Sequence, residues 1–248
     1  MKNENRLAMM AAATLVLGAC DSGTTPTDAL LNTDDLALIA ADAALEDLSV
    51  MAGVPLTIGS AMTADGRMGF ERSRSVTWFD ESGTAMDRPD RLLTASALFE
   101  SSMSGSMARG TWSASVERSR SMRVSGLLGE EVTRTFDGTG SEQHARSRVS
   151  DENGTRTYEM TGTSAMMSVV RAVDRAAQPW PLSGSISRDL TVQVTNGPNG
   201  DVSRTRSTVL TFNGTQFATL MVDGEEFEVD LAARDGDRGV SRKDRRQG

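Results

Sequence analysis

Arginine is the residue type whose spacing in this chain could do chemistry. It alternates with a hydroxyl residue at 72–74 and 118–120 (Arg-Ser-Arg) and at 204–206 (Arg-Thr-Arg). In a β-strand, residues two apart project from the same face, so each segment would present two guanidinium groups side by side. Guanidinium groups bind carboxylate, sulfate and phosphate through paired hydrogen bonds. The spacing therefore predicts a surface for an anionic ligand.

Apolar residues share the arginine side of these segments, and acidic residues mostly take the other side. The candidate ligand-binding residues are Arg72, Arg74, Arg118, Arg120, Arg204, Arg206, Trp78 and Trp112. The nearby acids of opposite parity are Glu71, Glu117, Glu131, Asp137, Glu159 and Asp189. Arg146 and Arg148 are an exception to this sorting, because they oppose Val149.

Three interpretations of this sorted face stay open. The face could line a cleft or half-open barrel in which arginines hold the head of an anionic amphiphile and apolar residues hold its tail. The arginine stems could instead lie over apolar surface with their charges in water. An acidic helix could also cover the face and pair with it.

Residues for catalysis or metal binding are scarce. His144 is the one histidine, and no Gly-x-Ser-x-Gly segment supports a serine nucleophile beside it. Zinc sites need several histidine or cysteine ligands, so we expect no metal, no cofactor and no catalytic residue. A hydrolase that uses two carboxylates stays open as a third function class, because the fold and not the spacing assembles such pairs.

The first twenty residues, MKNENRLAMMAAATLVLGAC, carry an export signal. Lys2 and Arg6 form a basic region, and 7–18 is an apolar run shorter than the roughly 20 residues that a membrane-spanning helix needs. The run leads into Leu-Gly-Ala-Cys at 17–20, and with this ending the segment resembles the signal peptide of a bacterial lipoprotein. The resemblance implies cleavage before Cys20 and attachment of fatty acyl chains such as palmitate to that cysteine. A secreted protein with a chance cysteine at this point is the alternative.

Composition narrows the partners. The net charge of −8 gives no overall attraction to nucleic acid. The chain has one cysteine, so a lipidated Cys20 would leave no thiol for disulfides or metals. Aromatic residues make up 4% of the chain, which disfavours a large aromatic core.

The period of the hydrophobic pattern changes along the chain. After the signal peptide (1–19), a polar linker is predicted over 20–32, and helical spacing of Leu38, Ala41, Leu45 and Leu48 predicts an amphipathic helix over 33–50. Alternation with period two follows, interrupted by turn sequences such as Asn-Gly at 213–214 and Asp-Gly at 223–224. These patterns predict one mainly β domain over 33–233, an antiparallel meander of about nine to eleven strands in a curved sheet or half-open barrel. The charged segment 234–248 is predicted to be a disordered tail.

The sequence thus predicts a lipid-anchored protein of the cell envelope, on the periplasmic or outer-surface side of its membrane. We expect a non-enzymatic binding or structural module. The alternative is a periplasmic carrier of an anionic amphiphile, either a lipid or a lipoprotein, and an envelope protein is a further possible partner.

Overall fold

The chain folds into one open antiparallel sheet of eleven strands. The computed structural model describes residues 37, 41, 48, 51, 70–150, 154–197, 200–233 and 240–242. The strands are β1 (Phe70–Phe79), β2 (Ala85–Met86), β3 (Ser96–Arg109), β4 (Trp112–Ser125), β5 (Thr133–Ser150), β6 (Gly154–Ala172), β7 (Ser183–Gly197), β8 (Gly200–Thr211), β9 (Phe217–Val222), β10 (Glu225–Asp230) and β11 (Val240–Arg242). Their spatial order is β2-β1-β3 and then β4 to β11 in sequence.

This order confirms the predicted antiparallel meander. Only β2 departs from it, because it pairs with the outer side of β1 at Trp78 and Phe79. The hairpin between β9 and β10 turns at Asp223 and Gly224, whose φ angles of 49° and 86° are both positive. A two-residue hairpin turn of type I′ requires such angles, and Asp-Gly supplies them at low cost.

The hydrophobic core lies on one face of the sheet, towards the end where β4 finishes and β5 begins. A row of paired positions crosses the sheet there, consisting of Val76, Phe99, Met122, Gly138, Met166, Ile186, Leu210, Leu220 and Phe227. Phe136, next to this row, is fully buried. Burying a side chain of this kind contributes roughly 1.5–3 kcal/mol, so these contacts stabilise this end of the sheet.

Residues in and just after the segment predicted to be helical pack on that core. Ala37, Ala41, Leu48 and Met51 are each helical. All but Leu48 are buried in the core, and Leu48 is half-buried against it. The remainder of the predicted helix 33–50, including Leu38 and Leu45, lies outside the described residues, as do 1–19, Cys20 and 20–32.

A β-bulge in β6 reverses which residues face the core. Met167 pairs with Ser185 and Val170 pairs with Ser183, so β6 has one extra residue at this point. Ser168 takes a positive φ of 48° there, and its backbone N–H donates to Asp137 Oδ1 at 2.7 Å. Before the bulge the even-numbered residues of β6 face the core side, and after it Val169 does.

The other face of the sheet is rich in hydroxyl groups, and we call it the hydroxyl face. Serine and threonine side chains on neighbouring strands bond to one another across it, with oxygen–oxygen distances of 2.6 to 2.9 Å for Ser113–Ser147, Ser119–Ser141 and Thr191–Thr205. Glu117, Asp137, Glu159 and Asp189 also lie on this face and are exposed, as parity predicted.

The C-terminal prediction needs a correction. Val240–Arg242, inside the segment predicted to be disordered, form β11 on the edge of β10, and Val240 packs against the core. Val240 is the one large apolar residue of 234–248, so the segment has no periodicity to signal a strand. The other residues of that segment lie outside the described part of the chain. Among the helical residues that are described, none belongs to a helix long and apolar enough to cross a membrane.

Candidate functional site

Strand pairing gathers six arginines into two adjacent rows across one face of the sheet. The first row runs Arg72, Met103, Arg118, Glu142, Gly162, Leu190 and Arg206. The second row runs Arg74, Ser101, Arg120, Gly140, Ser164, Arg188 and Thr208. We call the face the arginine face and these two rows the arginine band. The band lies beside the row of paired core positions that includes Met122 and Gly138. Arg171, which contacts Leu48, lies on the opposite side of that row.

The predicted ligand-binding residues are brought together only in part. Arg72 of β1 and Arg118 of β4 both pair with Met103 of β3, which lies between them. Their Cα atoms are therefore two strand spacings apart, roughly 9.5 Å. Arg206 ends the first row at β8, and Arg204 lies one position outside the band, opposite Val192. Trp78 lies beyond Val76 near β2, and Trp112 begins β4 at the opposite end of the sheet. Neither tryptophan position belongs to the band.

Glu142 is the acidic residue at the centre of the band, and its parity sets it apart from the acids of the hydroxyl face. Its Oε2 lies 3.1 Å from Arg118 Nη2, and its Oε1 lies 3.8 Å from Arg188 Nη1. The three side chains are 13%, 22% and 5% exposed, respectively. His144 Nε2 lies 3.7 Å from Glu142 Oε2, which is an ion-pair distance and longer than a hydrogen bond.

The surroundings of Glu142 strongly favour its charged form. The contact with His144 and the charges of Arg118 and Arg188 lower the pKa of Glu142 from 4.5 to about 2, although burial acts in the opposite direction. The contact with His144 is the largest of the lowering causes, and the charges of the two guanidinium groups act in the same direction. Glu142 is therefore a carboxylate across the physiological range.

Small residues form the floor of the band. Gly140, Gly162 and Ser164 occupy positions between the arginines and Glu142. A Cβ atom on Gly140 would lie 2.7 Å from Ser164 Oγ, and one on Gly162 would lie 2.7 Å from Leu190 Cδ2. The neighbouring side chains thus already fill the space that these glycines leave.

Two small cavities open on this face. One of about 30 Å³ lies between Arg120, Met122 and Gly138, and one of about 10 Å³ lies between Arg118, Glu142 and other residues of the band. Ligand pockets for small molecules have volumes of roughly 300–1,000 Å³. The band is therefore a contact surface and not a preformed pocket.

A second group of arginines on the same face is structural. Arg171 is 9% exposed, and its guanidinium donates to the backbone oxygens of Leu48 at 3.2 Å and Pro179 at 3.1 Å. Arg175 donates to the backbone oxygen of Met51 at 3.4 Å. Burial, with the nearby charge of Arg175, lowers the pKa of Arg171 to about 10. These bonds hold the backbone of Leu48 and Met51 against β6 and the loop that follows it.

Sequence reasoning missed Glu142, and it took the wrong residue as the exception to the sorting. Arg146 pairs with Ala114 and Tyr158 on the arginine face, and Arg148 holds the next position of the same parity. Val149 is the residue out of place, since it lies on the hydroxyl face and is 48% exposed. The signal for Glu142 was its shared parity with Phe136, but glycines at 138 and 140 interrupt the apolar pattern between them.

No group of three or more metal-ligating side chains comes together within the described ranges. In comparisons with known proteins, no family model, no curated protein and no solved structure matches the chain. The function must therefore be argued from the site itself.

Proposed function

We propose that the chain is a lipid-anchored protein of the cell envelope and that its sheet serves as a non-enzymatic binding module for an anionic group. Fatty acyl chains on Cys20 would hold it to the membrane, and the segment 20–32 would act as the tether. The arginine band would be the contact surface. Its position on a sheet with firm backbone pairing fixes the Cα positions from which the arginine side chains project.

The composition of the band is the observation that carries this proposal. Six arginines occupy its two rows, and Glu142 is the acidic residue among them. Glu142 contacts two of the arginines, so the rows keep an excess of positive charge in a chain whose net charge is −8. Such a local excess attracts anions and orients them by paired hydrogen bonds.

The glycines of β5 support a curved sheet with the arginine face on its concave side. A Cβ atom on Gly138 would lie 2.6 Å from the backbone oxygen of Ser121 on the adjacent strand. Real Cβ atoms essentially never lie within 3.0 Å of another strand's backbone. The close approach is what a strand bent towards this face produces, and glycine is the residue that permits it.

A carrier for an anionic amphiphile is the second candidate. Half-buried apolar residues, Val116, Met160 and Val192, adjoin the band and could contact an acyl chain. The cavities of about 30 and 10 Å³ are too small for one, so a carrier would have to open its face on binding. Native mass spectrometry of the purified chain tests this function directly, because a carrier co-purifies with a lipid and a clean apo mass contradicts it.

Arginine substitutions test the band. The Cys20→Ala chain, titrated with short-chain phosphatidylglycerol below its micelle concentration, should bind it in preference to the phosphatidylcholine analogue. Arg120→Gln, which leaves the contact of Arg118 with Glu142 intact, should weaken this binding about tenfold, because one charge-assisted hydrogen bond contributes about 1.5 kcal/mol or more. Arg123→Gln is the matched control, since Arg123 lies on the same strand but projects from the hydroxyl face.

Equal binding by the Arg120→Gln and Arg123→Gln chains would refute the role of the band. The anchor is tested separately by labelling with radioactive palmitate. The full chain should incorporate the label, and Cys20→Ala should abolish it. Labelling that persists in the Cys20→Ala chain would remove Cys20 as the anchor.

A further inference from the structure

β8 is paired along only part of its outer edge. β9 pairs with Thr208 to Thr211 only, because the β9–β10 hairpin turns back at Asp223 and Gly224. Within the described residues, no strand pairs with the outer edge of 200–206. This half of β8 therefore presents backbone groups beside the end of the hairpin.

Alternation along the strand identifies which groups point outward. The C=O of Ser207 accepts a hydrogen bond from the N–H of Asp223 at 3.4 Å, so Ser207 directs its backbone groups to the outer edge. In an antiparallel strand, residues of the same parity direct their backbone groups to the same neighbour. Ser203 and Thr205 therefore also point their N–H and C=O groups outward, and both residues are exposed.

The same arginine motif in the interior of the sheet shows what complements it. In β4, Arg118 lies opposite Glu142 of β5 and bonds to it at 3.1 Å, and Arg120 lies opposite Gly140. Between them, Ser119 and Ser141 share a hydroxyl hydrogen bond of 2.8 Å on the other face. The partner strand thus reads Gly-Ser-Glu at 140–142 and runs antiparallel to the motif.

The edge of β8 repeats this motif as Arg204-Thr205-Arg206. Arg206 already contacts Asp223, with Nη1 at 3.1 Å from Oδ2, as the hairpin ends there. Arg204 is exposed and projects beside the unpaired part of the edge. An incoming antiparallel strand would place a glutamate opposite Arg204, a hydroxyl residue opposite Thr205 and a small residue opposite Arg206.

We propose that the β8 edge at 200–206 binds an extended, acidic segment of a partner protein by β-strand addition. Main-chain hydrogen bonds to Ser203 and Thr205 would supply the pairing, and a carboxylate opposite Arg204 would supply the register. A second copy of this chain fits less well. Antiparallel pairing centred on Thr205 would oppose Arg204 of one copy to Arg206 of the other, and like charges in that position are destabilising.

A peptide from this chain provides the probe. The segment 140–146, GSEQHAR, contains the residues that pair with the motif in β4, and in the same register it would lie opposite 200–206 and leave Ser207 to the hairpin. Added to the Cys20→Ala chain, it should shift the amide NMR signals of Ser203 and Thr205 and slow their hydrogen exchange. The same peptide with Glu142→Gln should bind about two- to fivefold more weakly, which is the usual range for one cross-strand charge pair.

Two variants of the protein separate backbone pairing from charge. Thr205→Pro removes an outward N–H without removing a bond to β7, and it should abolish binding of every peptide. Arg204→Glu should reverse the preference, so that a peptide with Glu142→Lys binds better than the original. Because Arg204 is exposed, this charge reversal tests the proposal even if the proline variant does not fold.

The results also distinguish this site from the arginine band. Arg120→Gln, which lies on an interior strand, should leave peptide binding unchanged whether or not it weakens phospholipid binding. Equal affinity for the Glu and Gln peptides would overturn the charge match. Unperturbed Ser203 and Thr205 amides would overturn the edge pairing and leave the arginines as charges that guard the edge. Self-association that Thr205→Pro abolishes would make the occupant a second copy.

Discussion

Glu142→Gln should destabilise the protein strongly at neutral pH and much less in acid. The substitution keeps the size of the side chain but removes the charge that faces His144, Arg118 and Arg188. The pKa of Glu142 is lowered from 4.5 to about 2, and at 1.36 kcal/mol for each pH unit this difference corresponds to about 3 kcal/mol of stability at pH 7. Glu142 is 13% exposed, so solvent screens this interaction little.

The sign of the pH dependence follows from the direction of the shift. A carboxyl group whose folded pKa is lowered stabilises the fold above its unfolded pKa, and it loses this effect as the pH falls through the folded pKa. Between 4.5 and about 2 the contribution therefore declines, and about 1.4 kcal/mol of it remains at pH 3. The cost of Glu142→Gln should shrink accordingly.

Urea denaturation at pH 7 and pH 3 measures both values. Glu159→Gln is the matched control, because Glu159 lies on the hydroxyl face, is exposed and pairs with the uncharged Ala145 and Gln193. The control should change the free energy of unfolding by less than about 0.5 kcal/mol at either pH. A cost for Glu142→Gln that is the same at both pH values, or no larger than that of the control, would refute the electrostatic argument.

Two further predictions concern the packing of the sheet. Phe136→Ala should cost about 3–5 kcal/mol, since Phe136 is fully buried, whereas Phe217→Ala, at a residue 44% exposed, should cost less than about 1 kcal/mol. Gly138→Ala should cost about 1–3 kcal/mol, because the new Cβ would lie 2.6 Å from a backbone oxygen of β4. Gly129→Ala, where the closest atom would be 3.4 Å away, should be nearly neutral. Thermal unfolding of each pair compares them, and a pair with equal melting temperatures would contradict the packing described here.

The sequence predicted that these arginines share one face of the sheet, because alternation in a strand depends only on local geometry. Parity placed Arg72, Arg118 and Arg206 on one side, and strand pairing puts them on one row. Alternation within one strand does not predict the register between two strands. The meeting of Arg118 with Glu142 depends on that register, and so could not be derived from either strand alone.

Irregular positions in the strands were the second feature that the sequence did not predict. The bulge at Ser168 changes the facing parity of β6, and it depends on a hydrogen bond to Asp137 from a different strand. β5 (Thr133–Ser150) and β6 (Gly154–Ala172) are also far longer than the usual strand of five to six residues. Gly138 and Gly140 interrupt the apolar pattern of β5, which hid the place of Glu142 in that pattern.

The arginines that hold the helix carbonyls also set an order for folding. Nearly every strand pairs with its neighbour in sequence, so the sheet can grow by adding hairpins over short chain separations. The hydrogen bonds of Arg171 to Leu48 and of Arg175 to Met51 instead join residues 123 and 124 apart. Closing so long a loop costs entropy that must be recovered by contacts on an existing surface. The helix residues, although synthesised first, can therefore dock only after β6 and the loop behind it are in place.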